Sequence, residues 1–369
     1  MLIGIPKEIK DHEYRSVTPS MVQALTQAGH KVCVETKAGE KIGYSDALFQ
    51  EQGAKIVNSP EEVYQSEMII KVKEPQESEF PLLKEGQVLF CYLHLAPDPR
   101  QTEQLLAKKV VGVAYETVVD AQGKLPLLVP MSEMAGRISI QVGASYLQLN
   151  KGGRGVLLGG VPGVSSGRVV VLGGGVAGTE AARMALGLGA QVIVLDRDLQ
   201  RLRALDALFG PHLCTLYSTP SSIEESIRQA DLVIGSVLIP GKLAPKLITK
   251  EMVRKMPHGS VFVDISIDQG GCSETSRPTS HTSPTYTVDG VIHYCVTNMP
   301  GACARSSTQA LTNATTEYVL LLANKGWKRA MREHPGLAQG LNVCLGAVTN
   351  EAVAHDLGYP YVPPDTLFH

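Results

Sequence analysis

The chain has 369 residues, 44% of them hydrophobic and 19% charged, enough for two globular domains with sizeable cores. A net charge of −2 leaves no basic footprint for nucleic acid and no polybasic membrane patch, and no apolar run approaches the ~18 residues of a spanning helix. Seven scattered cysteines without a CxxC predict free thiols, with neither a disulfide frame nor a zinc site.

The opening MLIGIPKEIK lacks the apolar core of a signal peptide, so a soluble, cytoplasmic protein is expected. Residues 2–6 predict a strand. Residues 18–29 predict a helix with Thr18 as N-cap, Pro19 at the first helical position and Gly29 as terminator. Residues 30–36 return to a strand, and 59–66 repeat the helix-start pattern, with Ser59, Pro60 and then Glu62 completing a capping box. Strands follow at 67–73, 87–94 and 110–116, with a helix at 98–109. Alternation at this pace predicts a parallel α/β sheet. Residues 132–150 predict a connecting helix with Ser132 as N-cap, followed by a glycine-rich loop over 151–167. A second alternating series runs through RVVVLGGG, AQVIVLD, DLVIGSV and SVFVDIS, and from 306 onward the pattern is mostly helical.

Gly173, Gly175 and Gly178 form G-x-G-x-x-G between a β run and an alanine-rich helix. The first glycine permits the tight turn, the second lets backbone approach a pyrophosphate, and the third packs helix on strand. Phosphate then rests on the free N–H groups of the helix N-terminus. Asp196 ends the next strand, where a carboxylate accepts from ribose hydroxyls and repels a 2′-phosphate. That predicts NAD, although Arg197 beside it is a residue type that favours NADP.

Ligands in open α/β sheets bind beyond the carboxyl ends of the strands. In the first lobe Arg15 lies in the loop after strand 2–6, Lys73 ends strand 67–73, and His94 ends strand 87–94. Arginine and lysine suit a small carboxylate, and histidine suits a neighbouring atom that loses a proton. His94 also reads as a core side chain with one satisfied hydrogen bond, because it follows an apolar run. In the second series Asp264 falls inside an apolar run and needs a partner. Asp268 follows the strand before a double glycine and reads as a cleft-facing acid or as a capping residue.

The chain resembles the alanine dehydrogenases, a family that includes the nucleotide-binding first domain of pyridine-nucleotide transhydrogenase. The resemblance is carried by IGIPKEIKDHEYRSVTPSMV, VKEP, YLHLA, VPMSEMAGRISIQVGA, LGGGVAGTEAARMALGLGA, DISIDQGGC, HYCVTNMPGA and ALTNAT, spread over nearly the whole length. It implies NAD-dependent interconversion of L-alanine with pyruvate and ammonia, by hydride transfer from C2 and hydrolysis of the imino acid. It also implies an α/β fold of two Rossmann-like, doubly wound lobes, with cofactor and substrate in the cleft between them. Residues 1–128 would form the substrate lobe, 129–304 the NAD domain, and 305–369 helices returning to the first lobe, in a homohexamer. Arg15 and Lys73 would bind the substrate carboxylate, with His94 and Asp268 as the catalytic pair. NAD would be held by Ser132, by the loop Gly173, Gly175, Val176, Ala177 and Gly178, and by Asp196, Arg201, Ser218, Val237 and Leu238. Ile265, Ser266, Ile267, Asp268, Val296, Thr297, Asn298 and Met299 would line the nicotinamide side. No metal, nucleic-acid or membrane partner is expected. Two departures are visible: Ser266 stands where alanine is expected, and Cys303 with Ala304 replaces an expected valine–proline pair.

Overall fold

The structure, a computed structural model, describes residues 1–237 and 243–368. The chain forms two compact units, one from Met1–Met131 together with the chain from Cys303 onward, the other from Ser132–Ala302. Each is built on a mostly parallel sheet flanked by helices, the α/β class expected.

The first unit contributes β1 (Leu2–Ile5), β2 (Lys31–Glu35), β3 (Lys55–Val57), β4 (Met68–Ile70), β5 (Val88–Cys91) and β6 (Val111–Ala114). They lie in the order β3-β2-β1-β4-β5-β6, all parallel. β4, β5 and β6 are buried at every residue, as strands covered on both faces must be, which is why they read as unbroken apolar runs. The helix Pro19–Gln27 starts as expected, with Thr18 Oγ1 accepting from Met21 N at 3.3 Å. The capping box at Ser59 does not form. Its side chain makes no cap bond, and Glu62 Oε1 instead accepts from Asn58 N at 3.2 Å.

The strands expected over 67–73 and 87–94 end at Ile70 and Cys91. Beyond those points carboxylates take up backbone amides on one side of each strand. Glu8 accepts from Val72 and Lys73, and Glu116 accepts from Leu93 and His94.

The helix leading into the second unit runs Val129–Tyr146, so Ser132 sits in its first turn and is not the N-cap. Pro130 at the second helical position accounts for the earlier start. The second unit then contributes β7 (Arg168–Leu172), β8 (Gln191–Asp196), β9 (Leu213–Tyr217), β10 (Leu232–Gly235), β11 (Val261–Asp264), β12 (Thr285–Val288) and β13 (Val291–Tyr294). Their order is β9-β8-β7-β10-β11-β13-β12, parallel except for β12.

The tail is not simply helical. After the helix Ala304–Lys325 it supplies β14 (Leu341–Cys344), antiparallel to β6, and β15 (Ala347–Val348), which together extend the first sheet to eight strands.

In both sheets six parallel strands reverse their order beside the first strand, at β1/β4 and at β7/β10. Such switch points open a crevice beyond the strand ends, because the connections leave in opposite directions. The candidate residues fall at or next to them.

Candidate active site

Beyond the carboxyl ends of β1, β4 and β5, three neighbours in the first sheet, stand Arg15, Lys73 and His94. Arg15 is only 2% exposed, so it is not a surface charge. Its guanidinium forks onto Glu13, Nη2 donating to Oε2 at 2.5 Å and Nε to Oε1 at 2.8 Å, while Nη1 faces Met131 Sδ at 2.9 Å. Burial by itself would raise the Glu13 carboxyl. The guanidinium beside it outweighs that and holds it down at about 2, with a smaller pull from Lys73. Lys73 is half-buried, and its backbone N–H donates to Glu8 Oε1 at 3.2 Å.

His94 sits three residues past β5 in the left-handed region, at φ +48°. Its side chain is 49% exposed, which removes the core-histidine reading. Glu116 fixes this bend: Oε1 accepts from His94 N at 2.6 Å and from Leu93 N at 3.2 Å, and lies 3.8 Å from His94 Nδ1. On the other side the Tyr92 ring stacks on the imidazole at 5.9 Å between centroids, 5° from parallel. Tyr92 is itself anchored, its hydroxyl donating to Leu127 O at 2.6 Å. Arg15 and Lys73 both act on the Glu13 carboxylate, and Tyr92 packs against His94. Glu8, Glu13 and Glu116, which hold the site's backbone and guanidinium, were not singled out from sequence. Glu116 follows β6 and was within reach of the same strand-end rule.

In the second unit the glycine loop joins β7 to the helix Val176–Gly187. Gly173 has φ +98°, which glycine adopts without strain. A Cβ at Gly178 would run into the Gly173 carbonyl oxygen, whereas one at Gly175 would meet nothing within 4 Å. The second glycine therefore opens onto free space in front of a helix N-terminus that no side chain caps, the arrangement a pyrophosphate needs. At the end of β8, Asp196 Oδ2 accepts from Gly174 N at 2.6 Å and Oδ1 from Asp198 N at 2.9 Å. A carboxylate has about four lone-pair sites, so acceptors remain for ribose hydroxyls. Arg201 lies across the loop, with Nε donating to Gly174 O and Nη2 to Thr179 Oγ1 at 2.6 Å. Arg197 is exposed. Ser218 follows β9, and its N–H donates to Asp196 O at 2.9 Å. These residues fit a pyridine nucleotide.

After β10, Val237 is tied to Ser266, whose hydroxyl accepts from Val237 N at 3.0 Å and donates to Val237 O at 2.8 Å. The serine thus makes bonds that the expected alanine could not. Leu238 lies outside the described residues. Ile265, Ser266, Ile267 and Asp268 form a 3-10 turn after β11, in which Asp268 is exposed and accepts weakly from Asn298 N at 3.4 Å. Asn298 has φ +55°, Val296 and Met299 are buried, and Thr297 is half-buried. Asp264 finds the partners its burial requires, accepting from Ser266 N at 3.0 Å, Cys272 N at 2.9 Å and Ser276 Oγ at 2.6 Å. Among the described residues, no cluster of His, Cys, Asp or Glu could hold a metal, and no helix is long and apolar enough to cross a membrane.

Comparison with known proteins identifies relatives over the whole chain. Residues 4–135 match the family model "Alanine dehydrogenase/PNT, N-terminal domain", and residues 139–351 match "Alanine dehydrogenase/PNT, C-terminal domain". The chain is 55% identical to an alanine dehydrogenase of Methanococcus maripaludis over 99% of both chains. It is 52% identical to one of Halomonas elongata over the full length of both. A solved L-alanine dehydrogenase superposes with a TM-score of 0.94 at 51% identity, covering 97% of this chain and 99% of that one. A transhydrogenase from Sinorhizobium meliloti shares the fold, with a TM-score of 0.82 at 22% identity over 95% of this chain and 100% of that one.

Proposed function

The chain belongs to the alanine dehydrogenase/PNT family and carries L-alanine dehydrogenase activity with a pyridine nucleotide; from that premise we propose that the nucleotide is NAD and that the residues above bind alanine and move its protons. The first unit takes the amino acid and the second the dinucleotide. Asp196 supports NAD, because its carboxylate accepts from both ribose hydroxyls and repels a 2′-phosphate.

A nicotinamide nucleotide held by the glycine loop and Asp196 would supply the redox chemistry, as acceptor for the hydride lost from C2 of alanine. Lys73 and Arg15 hold the substrate carboxylate, Arg15 through the Nη1 edge that faces Met131, a side chain flexible enough to yield. Glu13 keeps the guanidinium plane fixed while this happens. His94 works through Nε2, since Nδ1 faces Glu116. It takes a proton from the water that adds to the iminium carbon, returns it to the amino nitrogen, and accepts the hydroxyl proton as the C–N bond breaks to give pyruvate and ammonia. Asp268 stabilises the cationic nitrogen. Positioning and proton transfer are the protein's share of the catalysis. On the same reading the enzyme is a cytoplasmic homohexamer.

The observation that carries this function is full-length similarity to alanine dehydrogenases through both halves of the chain. The test follows NAD reduction on addition of L-alanine, with saccharopine as comparator. Reduction with alanine alone is expected. Arg15→Ala should raise the KM for pyruvate tens- to thousands-fold, the effect of about 2–5 kcal/mol lost from a charge pair, with NADH affinity intact. NADH binding without alanine-dependent turnover would refute the function.

A further inference from the structure

β1 and β4 pair only at Ile3 with Met68 and Gly4 with Ile69, and then part at the switch point. On the β5 side the chain beyond β4 keeps its ladder, with Lys71 N donating to Phe90 O at 3.2 Å and Tyr92 N to Val72 O at 3.1 Å. On the β1 side a side chain replaces the missing strand. Glu8 Oε1 accepts from Val72 N at 2.6 Å and from Lys73 N at 3.2 Å. We propose that Glu8 is a positioning residue for the substrate carboxylate: by holding the Val72–Lys73 backbone it sets where the Lys73 ammonium stands. The proposal rests on Lys73 binding the substrate.

The surroundings of Glu8 are built to keep it in place. It is 8% exposed, and its Oε2 lies 3.4 Å from Nζ of Lys71, whose side chain is completely buried. Lys71 Nζ also donates to Glu79 Oε1 at 2.7 Å, and that oxygen accepts from the buried Tyr64 hydroxyl at 2.8 Å. Glu79 Oε2 accepts from Gln76 N at 2.7 Å, which ties down the chain just after Lys73. Oε2 of Glu8 makes no hydrogen bond; with Ser16 Oγ it faces a small cavity walled by Tyr115, Thr312 and Thr315. The hydrogen bonds Glu8 does make therefore run to the backbone that carries Lys73. Apolar side chains often replace a buried ion pair without loss of stability. Stability alone does not explain four polar side chains sunk beneath this strand end, whereas fixing a substrate-binding lysine does.

The test pairs Glu8→Ala with Lys73→Ala and their double variant, reading KM for pyruvate, kcat and NADH affinity. Glu8→Ala should raise the KM by about tenfold or more and leave NADH affinity unchanged. On the Lys73→Ala background it should add less than about twofold, because residues acting through one another are not additive. Glu8→Gln keeps a carbonyl acceptor for the Val72 and Lys73 amides while Lys71 stays paired with Glu79, and should bring the KM back to within about threefold of wild type. Where melting shows that Glu8→Ala does not fold, Glu8→Leu fills the space and removes the acceptor while Lys71 stays paired with Glu79; the same KM rise is expected. An unchanged KM, an equal loss of NADH affinity, or full additivity with Lys73→Ala would overturn the proposal. A flat Lys73→Ala instead overturns the underlying reading of Lys73, whatever Glu8 does.

Discussion

Glu13→Gln keeps the shape that receives Arg15 and removes the charge. In the folded protein the Glu13 carboxyl titrates at about 2, against the usual 4.5, despite burial that acts the other way. A carboxyl depressed in the folded state stabilises above its unfolded value, and that contribution is lost as pH falls toward the folded one. The gap corresponds to about 3 kcal/mol at neutral pH, of which about 1 kcal/mol is gone by pH ~3.5. The variant should therefore be about 3 kcal/mol less stable than wild type at pH ~7, and the two should draw together by about 1 kcal/mol at pH ~3.5. Glu8 is raised by burial and, to a lesser extent, by Glu13, so the comparison is made on a Glu8→Gln background in which that coupling is absent. Urea unfolding followed by tryptophan fluorescence reads the correct unit, because the single tryptophan, Trp327, belongs to the first unit and packs edge-on against Phe368 at 6.5 Å. A stability difference that stays flat across this range would show that the Glu13 charge does not hold Arg15.

His94→Ala should cut kcat by about 10²–10⁴ with NADH binding intact, and near-normal turnover would leave Asp268 as the proton carrier. Asp196→Ala should weaken NAD while sparing NADP; equal loss of both in fluorescence titrations would mean that the residue matters only for its bond to Gly174. Gly178→Ala puts a methyl into the Gly173 carbonyl, so NADH affinity should fall sharply while alanine dehydrogenase relatives with glycine there bind normally; an unaffected variant would show that the loop can shift at little cost.

The parallel strands and the helix that Thr18 caps were legible because their signals are local: unbroken apolar runs, a hydroxyl before a proline, a glycine after the last turn. The β14–β15 hairpin was not, although its two-residue turn has φ +50° at Leu345 and +92° at Gly346. A turn with both residues left-handed announces itself as Asn-Gly or Asp-Gly, and leucine disguises it. The β12–β13 hairpin does carry that signal, Asp289-Gly290 at φ +46° and +80° between valines. At the candidate site, strand ends brought out Arg15, Lys73 and His94. The acids that hold them were harder to see, since Glu8 and Glu116 act on residues about 65 and 22 positions away, a relation created only by strand order.

The return of the chain to its first unit has a consequence for synthesis on the ribosome. Residues 1–131 emerge first, but β14, which covers the β6 edge, follows about 230 residues later. At about 5–20 residues per second that edge waits roughly 10–50 seconds, and an open, fully apolar strand edge is a template for pairing with other chains. The second unit is one continuous stretch and has everything it needs to fold in the meantime. A nascent chain halted near residue 303 would thus carry a finished second unit behind a first unit with an open strand edge, so the demand for chaperones falls on the first half of the protein.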